Sequence, residues 1–126
     1  MNQISLFMTE KKRFVRLDSL VAYTQTETDG DEIFIRYQGK KIAPETGKFF
    51  KINNEPVPLN VEIPVEELGQ WVELELWDYD HFTPNDKLGT FRFLADEVAE
   101  NFTAELVPDQ DAAIARYVLG WSVIER

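Results

Sequence analysis

Three aspartates that lie within nine residues could bind a metal ion. Asp78 and Asp80 are two positions apart, so in an extended backbone their side chains leave the same face. Pro84 and Asn85 are turn residues that can return Asp86 toward the first two. Converging carboxylates repel one another, and a hard cation such as calcium, which takes roughly six to eight oxygen ligands, relieves that repulsion. Aspartates are also favoured in solvated turns, so composition leaves both interpretations open.

The residues around the three aspartates limit the kinds of metal site that this segment could form. The carbonyl of Tyr79 lies between two of the carboxylates and could add a ligand. An EF-hand is excluded, because its loop needs Glu at the twelfth place, which holds Gly89 when counted from Asp78. Phe82 follows His81 at the tip of the loop, where an apolar side chain either folds back or contacts a partner.

The composition bounds the class of protein. A chain of 126 residues, 44% of them hydrophobic, suits one compact domain with a core. It has no cysteine and one histidine, which excludes disulfides, thiolate sites and zinc sites with several histidines. The formal net charge of −10 disfavours nucleic acid as a partner, because phosphate binding needs a basic face. No nucleophile arrangement accompanies the single histidine, so we do not expect an enzyme.

Period-two alternation of apolar residues is the main structural signal, and it predicts strands with one buried face. Phe14 to Tyr23 is rich in β-forming residues but alternates less cleanly, which indicates a bulge. Only Asp96 to Phe102 predicts a helix, a short one with Asp96 as its N-cap. We therefore predict an all-β, eight-stranded antiparallel β-sandwich with one short helix. The alternating positions on the expected core faces are Ile33, Ile35, Tyr37, Val72, Leu74, Leu76, Phe91, Phe93, Tyr117, Leu119, Trp121 and Val123.

The sequence around the aspartates resembles the third calcium-binding loop of C2 domains, the calcium- and phospholipid-binding modules of protein kinase C, synaptotagmins and phospholipases. It runs over 74–89 as Leu-Glu-Leu-Trp-Asp-Tyr-Asp-His-Phe-Thr-Pro-Asn-Asp-Lys-Leu-Gly. The family pattern is a strand ending in an aromatic residue, then Asp-x-Asp, five residues, Asp, and soon an Ile/Leu-Gly pair. Asp78, Asp80 and Asp86 match this pattern without a gap, and a weaker match extends from about Phe14 to Trp121.

The resemblance implies a C2-like Greek-key β-sandwich with calcium at a loop tip. Asp31 matches a ligand of the family's first loop, whereas the earlier Asp of that loop falls on Gln25. Glu27 and Asp29 are the candidates for additional metal ligands in its place. Because of this departure, we expect one calcium ion. Its expected ligands are Asp31, Asp78, Tyr79, Asp80 and Asp86. The resemblance also implies that the loop tip, His81 and Phe82, contacts a membrane or a partner.

These observations lead to one leading function and two alternatives. We expect a non-enzymatic calcium-binding module in which calcium at the loop tip promotes docking to membrane phospholipid or a protein partner. The alternative is a structural or adaptor subunit with little or no lipid binding, which Gln25 and the acidic charge favour. A carbohydrate-binding sandwich that uses Trp71, Trp77 and Trp121 together with calcium is a weaker alternative.

Domain boundaries and location are also predicted from the sequence. Residues 1–13 are predicted to be an N-terminal arm and residues 14–126 the domain. No signal peptide or membrane span is seen, so we expect a cytoplasmic location, with or without peripheral membrane attachment. A group of lysines resembles those that similar domains use for phosphoinositides, but a solvated, charge-balanced hairpin is the favoured explanation because many acids surround them; they are Lys40, Lys41, Lys48 and Lys51.

Overall fold

The computed structural model describes residues 11–24, 30–109 and 116–126, and these residues are all-β. The candidate ligands Glu27 and Asp29 therefore lie outside the described residues, as does most of the predicted arm. The described strands are β1 (Arg13–Thr24), β2 (Asp31–Tyr37), β3 (Lys40–Ala43), β4 (Phe50–Ile52), β5 (Val57–Val65), β6 (Gln70–Asp78), β7 (Asp86–Ala95), β8 (Ala99–Glu105), β9 (Val107–Pro108) and β10 (Arg116–Glu125).

The strands form two antiparallel sheets that share one hydrophobic core. The first sheet has the order β5-β1-β10-β8. The second has the order β3-β2-β6-β7-β9, and β4 pairs with β2 beside β3. Buried residues from both sheets belong to a single cluster, for example Leu17 and Leu119 from the first and Ile35 and Leu74 from the second. Two sheets that each bury one face in a shared core form a sandwich-like arrangement.

The alternation of apolar residues predicted the core positions correctly. All the expected core residues are buried except Tyr37, which is partly buried and packs against the cluster. In β1 the buried positions change from Val15 and Leu17 to Leu20 and Ala22, and the pairing with β5 and β10 shifts between Leu17 and Ser19. The interrupted alternation of the sequence is therefore a β-bulge, as predicted.

The predicted helix at Asp96 to Phe102 is wrong. Residues 96–98 are a bend between strands, and from Ala99 the chain is β8, whose Phe102 lies opposite Trp121 of β10. The apolar spacing of Val98 and Phe102 suits one helical turn, but pairing with β10 supplies the backbone hydrogen bonds that decide the conformation. The predicted strand count of eight also differs from the ten described strands, two of which have only two or three residues.

The register brings the acidic segments to one end of the two sheets. β1, β4, β6 and β9 end there, and β2, β5, β7 and β10 begin there. We call this the loop end, and the end that carries the turns at 38–39, 66–69 and 96–98 the opposite end. Among the described residues no helix has the length and apolarity required to cross a membrane.

Candidate functional site

Cross-strand pairing places three of the predicted ligands on the inner face of the second sheet at the loop end. Asp78 of β6 lies directly opposite Asp86 of β7, and on its other side it lies opposite Ile33 of β2. Asp31 is two residues before Ile33, so both side chains leave the same face of β2. Like charges directly opposite each other destabilise a sheet, so Asp78 and Asp86 form an electrostatically unfavourable pair.

Asp31 is fully buried and is bonded to the other sheet. Its relative exposure is 0%, and its Oδ2 accepts a hydrogen bond from the hydroxyl of Tyr117, which is 1% exposed. Asp31 begins β2 and Tyr117 is the second residue of β10, so this bond joins the two sheets at the loop end. A buried carboxylate needs such donors, because removing its charge from water without them costs several kcal/mol.

Asp80 organises its own loop. Its Oδ1 accepts hydrogen bonds from the N–H groups of Phe82, at 2.9 Å, and Thr83, at 3.1 Å. Its own N–H donates to Oδ1 of Asn85 at 2.8 Å. The Thr83 side chain and these two N–H groups lower the pKa of Asp80, since all of them donate to its charged form. The charged form of Asp80 therefore stabilises the turn fully when the pH is above the ordinary pKa of an aspartate. This stabilisation is lost as the pH falls through the lowered pKa of Asp80.

Tyr79 and His81 form an aromatic cluster with the segment between β3 and β4. The Tyr79 ring stacks on Phe49 with a centroid separation of 5.0 Å, and the His81 ring packs edge-on against both. Nζ of Lys48 lies 5.7 Å from the centroid of the Tyr79 ring. Nε2 of His81 lies 3.1 Å from Oε1 of Glu32. These contacts hold the β6–β7 loop against its neighbours.

Phe82 is the most exposed large hydrophobic residue among those described. Its relative exposure is 97%, although its own N–H is bound within the loop by Asp80. The Phe82 ring lies 6.4 Å from that of His81, at the edge of the aromatic cluster. The Phe82 side chain therefore projects from a hydrogen-bonded loop instead of folding back onto it, which fits a contact with a surface outside the protein.

The structure thus brings together part of the predicted ligand set. Asp31, Asp78 and Asp86 share a face, whereas Asp80 bonds within its own loop. Within 11–24, 30–109 and 116–126, no three Asp, Glu, His or Cys side chains stand as a group that could hold a metal ion. The assignment of these ligands to calcium stays a prediction.

Sequence reasoning missed Tyr117 and Phe49 as parts of this end of the molecule. Tyr117 was predicted as core from its alternation, which shows that a side chain points inward but not which polar group meets it. Phe49 precedes β4 and carries no periodic signal. The backbone of Tyr79 also has a partner that was not predicted, because its N–H donates to the carbonyl of Glu32 at 2.7 Å.

Comparison with known proteins does not assign the chain to a group. No family model matches the sequence, and no curated protein matches it either.

Proposed function

We propose that the chain is a non-enzymatic calcium-binding module with a C2-like Greek-key arrangement of its strands. Calcium at the loop end would promote docking to membrane phospholipid or a protein partner. The observation that carries this proposal is the register that sets Asp78 opposite Asp86 and puts Asp31 on the same face of the sheet. The resemblance of the β6–β7 loop to a calcium-binding loop of C2 domains, which rests on the same aspartates, also favours it.

The described residues fit a hard cation in part. Asp78 and Asp86 are facing carboxylates on neighbouring strands, and Asp31 adds a third from β2. Calcium, when bound, supplies the positive charge that offsets their mutual repulsion. Asp80 keeps the β6–β7 loop folded through its turn, and the carbonyl of Tyr79 remains a candidate ligand beside it. Phe82 and His81 then present an apolar and aromatic tip to the docking partner.

Removal of the facing carboxylates tests the site. We expect Asp78→Asn/Asp86→Asn to weaken calcium binding by about tenfold or more, because the amides keep the shape but lose both charges. Isothermal titration calorimetry with calcium measures this. Asp96→Asn is the matched control, since Asp96 is an exposed carboxylate at the opposite end. Absence of any calcium-dependent heat with the wild-type protein, at millimolar calcium, contradicts the metal assignment.

The exposed tip makes a separate prediction about docking. With vesicles of phosphatidylcholine and phosphatidylserine, we expect the wild-type protein to sediment in calcium and not in chelator. Phe82→Ala should sediment several-fold less while keeping the wild-type calcium heat, because the ring is 97% exposed and supports no core contact. Val107→Ala, another exposed apolar residue, is the control. Equal sedimentation of Phe82→Ala and wild type excludes Phe82 as the contact.

A second candidate, a structural or adaptor module with little lipid binding, is favoured by a different observation. Hydrogen bonds within the protein already satisfy several polar groups at the loop end. They join Tyr117 to Asp31 and His81 to Glu32, and they close the turn at Asp80. A loop end ordered in this way can present a rigid surface without calcium. Calcium-independent behaviour in the sedimentation experiment, with no pelleting in either condition, supports this candidate over the first.

A further inference from the structure

An apolar groove lies at the side of the sandwich where β5, an edge strand of the first sheet, faces β3, an edge strand of the second. Its volume is about 380 Å³. Phe50, Val57 and Leu59 line it, and all three are partly buried and pack against the core cluster. Among the described residues that line it, only Glu45 is charged. We call this feature the β3–β5 groove, and its composition favours an apolar ligand.

The outer edge of β5 is poorly suited to the addition of another strand. Within the described part of the chain, β5 pairs only with β1. Pro58 and Pro64 have no N–H to offer to a further strand, and proline limits pairing at the edges of sheets. A ligand of the groove is therefore held by its side chains, which favours a segment with several apolar residues close together.

The N-terminal segment, residues 1–10, contains such a run of apolar residues. Within residues 4–8 the apolar residues are Ile4, Leu6, Phe7 and Met8. The segment precedes the described residues, which enter β1 beside the end of β5. Lys12 and Arg126 exchange two backbone hydrogen bonds of 2.8 Å, and Arg13 lies opposite Val65, the last residue of β5. The segment is therefore attached next to the strand that lines the groove.

The distance from this point to the groove matches the position of the apolar run. Val61 and Val57 line the groove and come four and eight residues before Val65, so they lie ~13 Å and ~26 Å back along β5. Residues 4–8 come seven to three residues before Lys11, and an extended chain covers roughly 10 to 24 Å over that length. A segment that folds back along the side of β5 brings its apolar residues level with the groove.

We propose that the β3–β5 groove is the docking site of the N-terminal segment of the same chain, with Leu6 and Phe7 entering it. Covalent attachment favours this occupant, because a short flexible linker keeps a tethered group at an effective concentration in the millimolar range. Docking removes the apolar side chains of Leu6, Phe7 and the partly buried Leu59 from water. The groove is separate from the proposed calcium site and does not depend on it.

Disulfide formation between engineered cysteines tests the proposal, since the chain has no cysteine of its own. Ser5→Cys places one thiol next to Leu6, and Thr46→Cys places the other at an exposed position of the groove. In dilute protein with chelator and a mild oxidant, we expect this pair to close within one molecule at least tenfold faster than Ser5→Cys/Val98→Cys. Val98 is the matched control, because it is exposed in a turn at the end of the sheets where β1 begins, within reach of an undocked segment.

A second comparison tests whether apolar contacts hold the segment in the groove. Leu6→Asp/Phe7→Asp, introduced into the first cysteine pair, should slow closure about tenfold, because it would bring charges into an apolar site. Asn2→Asp/Gln3→Asp adds the same charge outside the apolar run and should change the rate little. Non-reducing electrophoresis and mass spectrometry measure closure and distinguish a disulfide within one molecule from one between two.

Three results overturn the proposal. One is closure of the pair with Thr46→Cys no faster than that of the pair with Val98→Cys, which would show that the segment does not prefer the groove. Another is closure that Leu6→Asp/Phe7→Asp leaves unchanged. The third is a disulfide that forms only between molecules, which would assign the groove to the segment of a second copy. Because Thr46 and Val98 are exposed, both cysteine pairs should keep the wild-type circular dichroism.

Discussion

Gly89→Ala is expected to destabilise the folded protein by about 3 kcal/mol, the upper part of the range for overpacking a closely packed site. Gly89 is buried in β7, where it lies opposite Leu76 on one side and Pro108 of β9 on the other. A methyl group at this position would overlap the Val107 carbonyl oxygen and come within 2.8 Å of the Pro108 Cα. Both atoms belong to the backbone, so they cannot rotate away and β9 must move.

The measurement for Gly89 is urea denaturation of the variant and the wild-type protein. A loss of ~3 kcal/mol lowers the melting temperature by roughly 10 °C for a domain of this size. Gly120→Ala is the matched control, because a methyl group there would meet only Ser19 Oγ, at 2.9 Å, as its close contact, and a hydroxyl can rotate. We expect that control to lose less than about 1 kcal/mol. Equal losses in the two variants would contradict the assignment of the strain to the β9 backbone.

Gly89 also illustrates what the sequence could and could not predict. The Leu-Gly pair at 88–89 was recognised only as part of a resemblance, with no physical reason attached. The structure supplies the reason, which is the close approach of β9 to β7 at Thr90 and Gly89. A two-residue strand such as β9 has too few positions to show alternation, so its contact with Gly89 was not predictable from the pattern.

The two sheets were largely predictable because their central strands are long enough to alternate. Val72, Leu74 and Leu76 repeat at period two in β6, and they are buried as expected. The start of β8 was mistaken for a helix in which Asp96 was the N-cap, a local signal, while its pairing partner β10 is remote in the sequence. Local spacing therefore predicts the conformation where one face is continuously apolar, and fails where a distant strand decides it.

The candidate site shows the same division between local and distant causes. The spacing of Asp78, Asp80 and Asp86 predicted that one loop carries the acids, and pairing of β6 with β7 sets Asp78 opposite Asp86. The sequence could not show that Asp80 uses its carboxylate within the loop, since a turn carboxylate and a metal ligand need the same spacing. Nor could it pair Asp31 with Tyr117, which is 86 positions away.

Tyr117→Phe is expected to lower the free energy of unfolding by about 2 kcal/mol in the presence of a chelator, the usual magnitude for a hydrogen bond to a charged group. The substitution keeps the ring in the core and removes only the hydroxyl that donates to the fully buried Asp31. The carboxylate thereby loses a donor in an apolar environment. Urea denaturation measures the loss, and Tyr23→Phe, whose hydroxyl belongs to a residue that is 68% exposed, should change little.

A double-mutant cycle separates this hydrogen bond from other effects of the substitution. In an Asp31→Asn background the buried group carries no charge, so Tyr117→Phe should cost about 1 kcal/mol, the value for a neutral hydrogen bond. If the losses of stability from the two substitutions simply add, the Asp31–Tyr117 bond contributes nothing specific to stability.

The proposed calcium site adds a second expectation for the single variant Tyr117→Phe. Asp31 released from Tyr117 is better placed to act as a ligand, so calcium should recover part of the stability lost in Tyr117→Phe and none of that lost in Asp31→Asn.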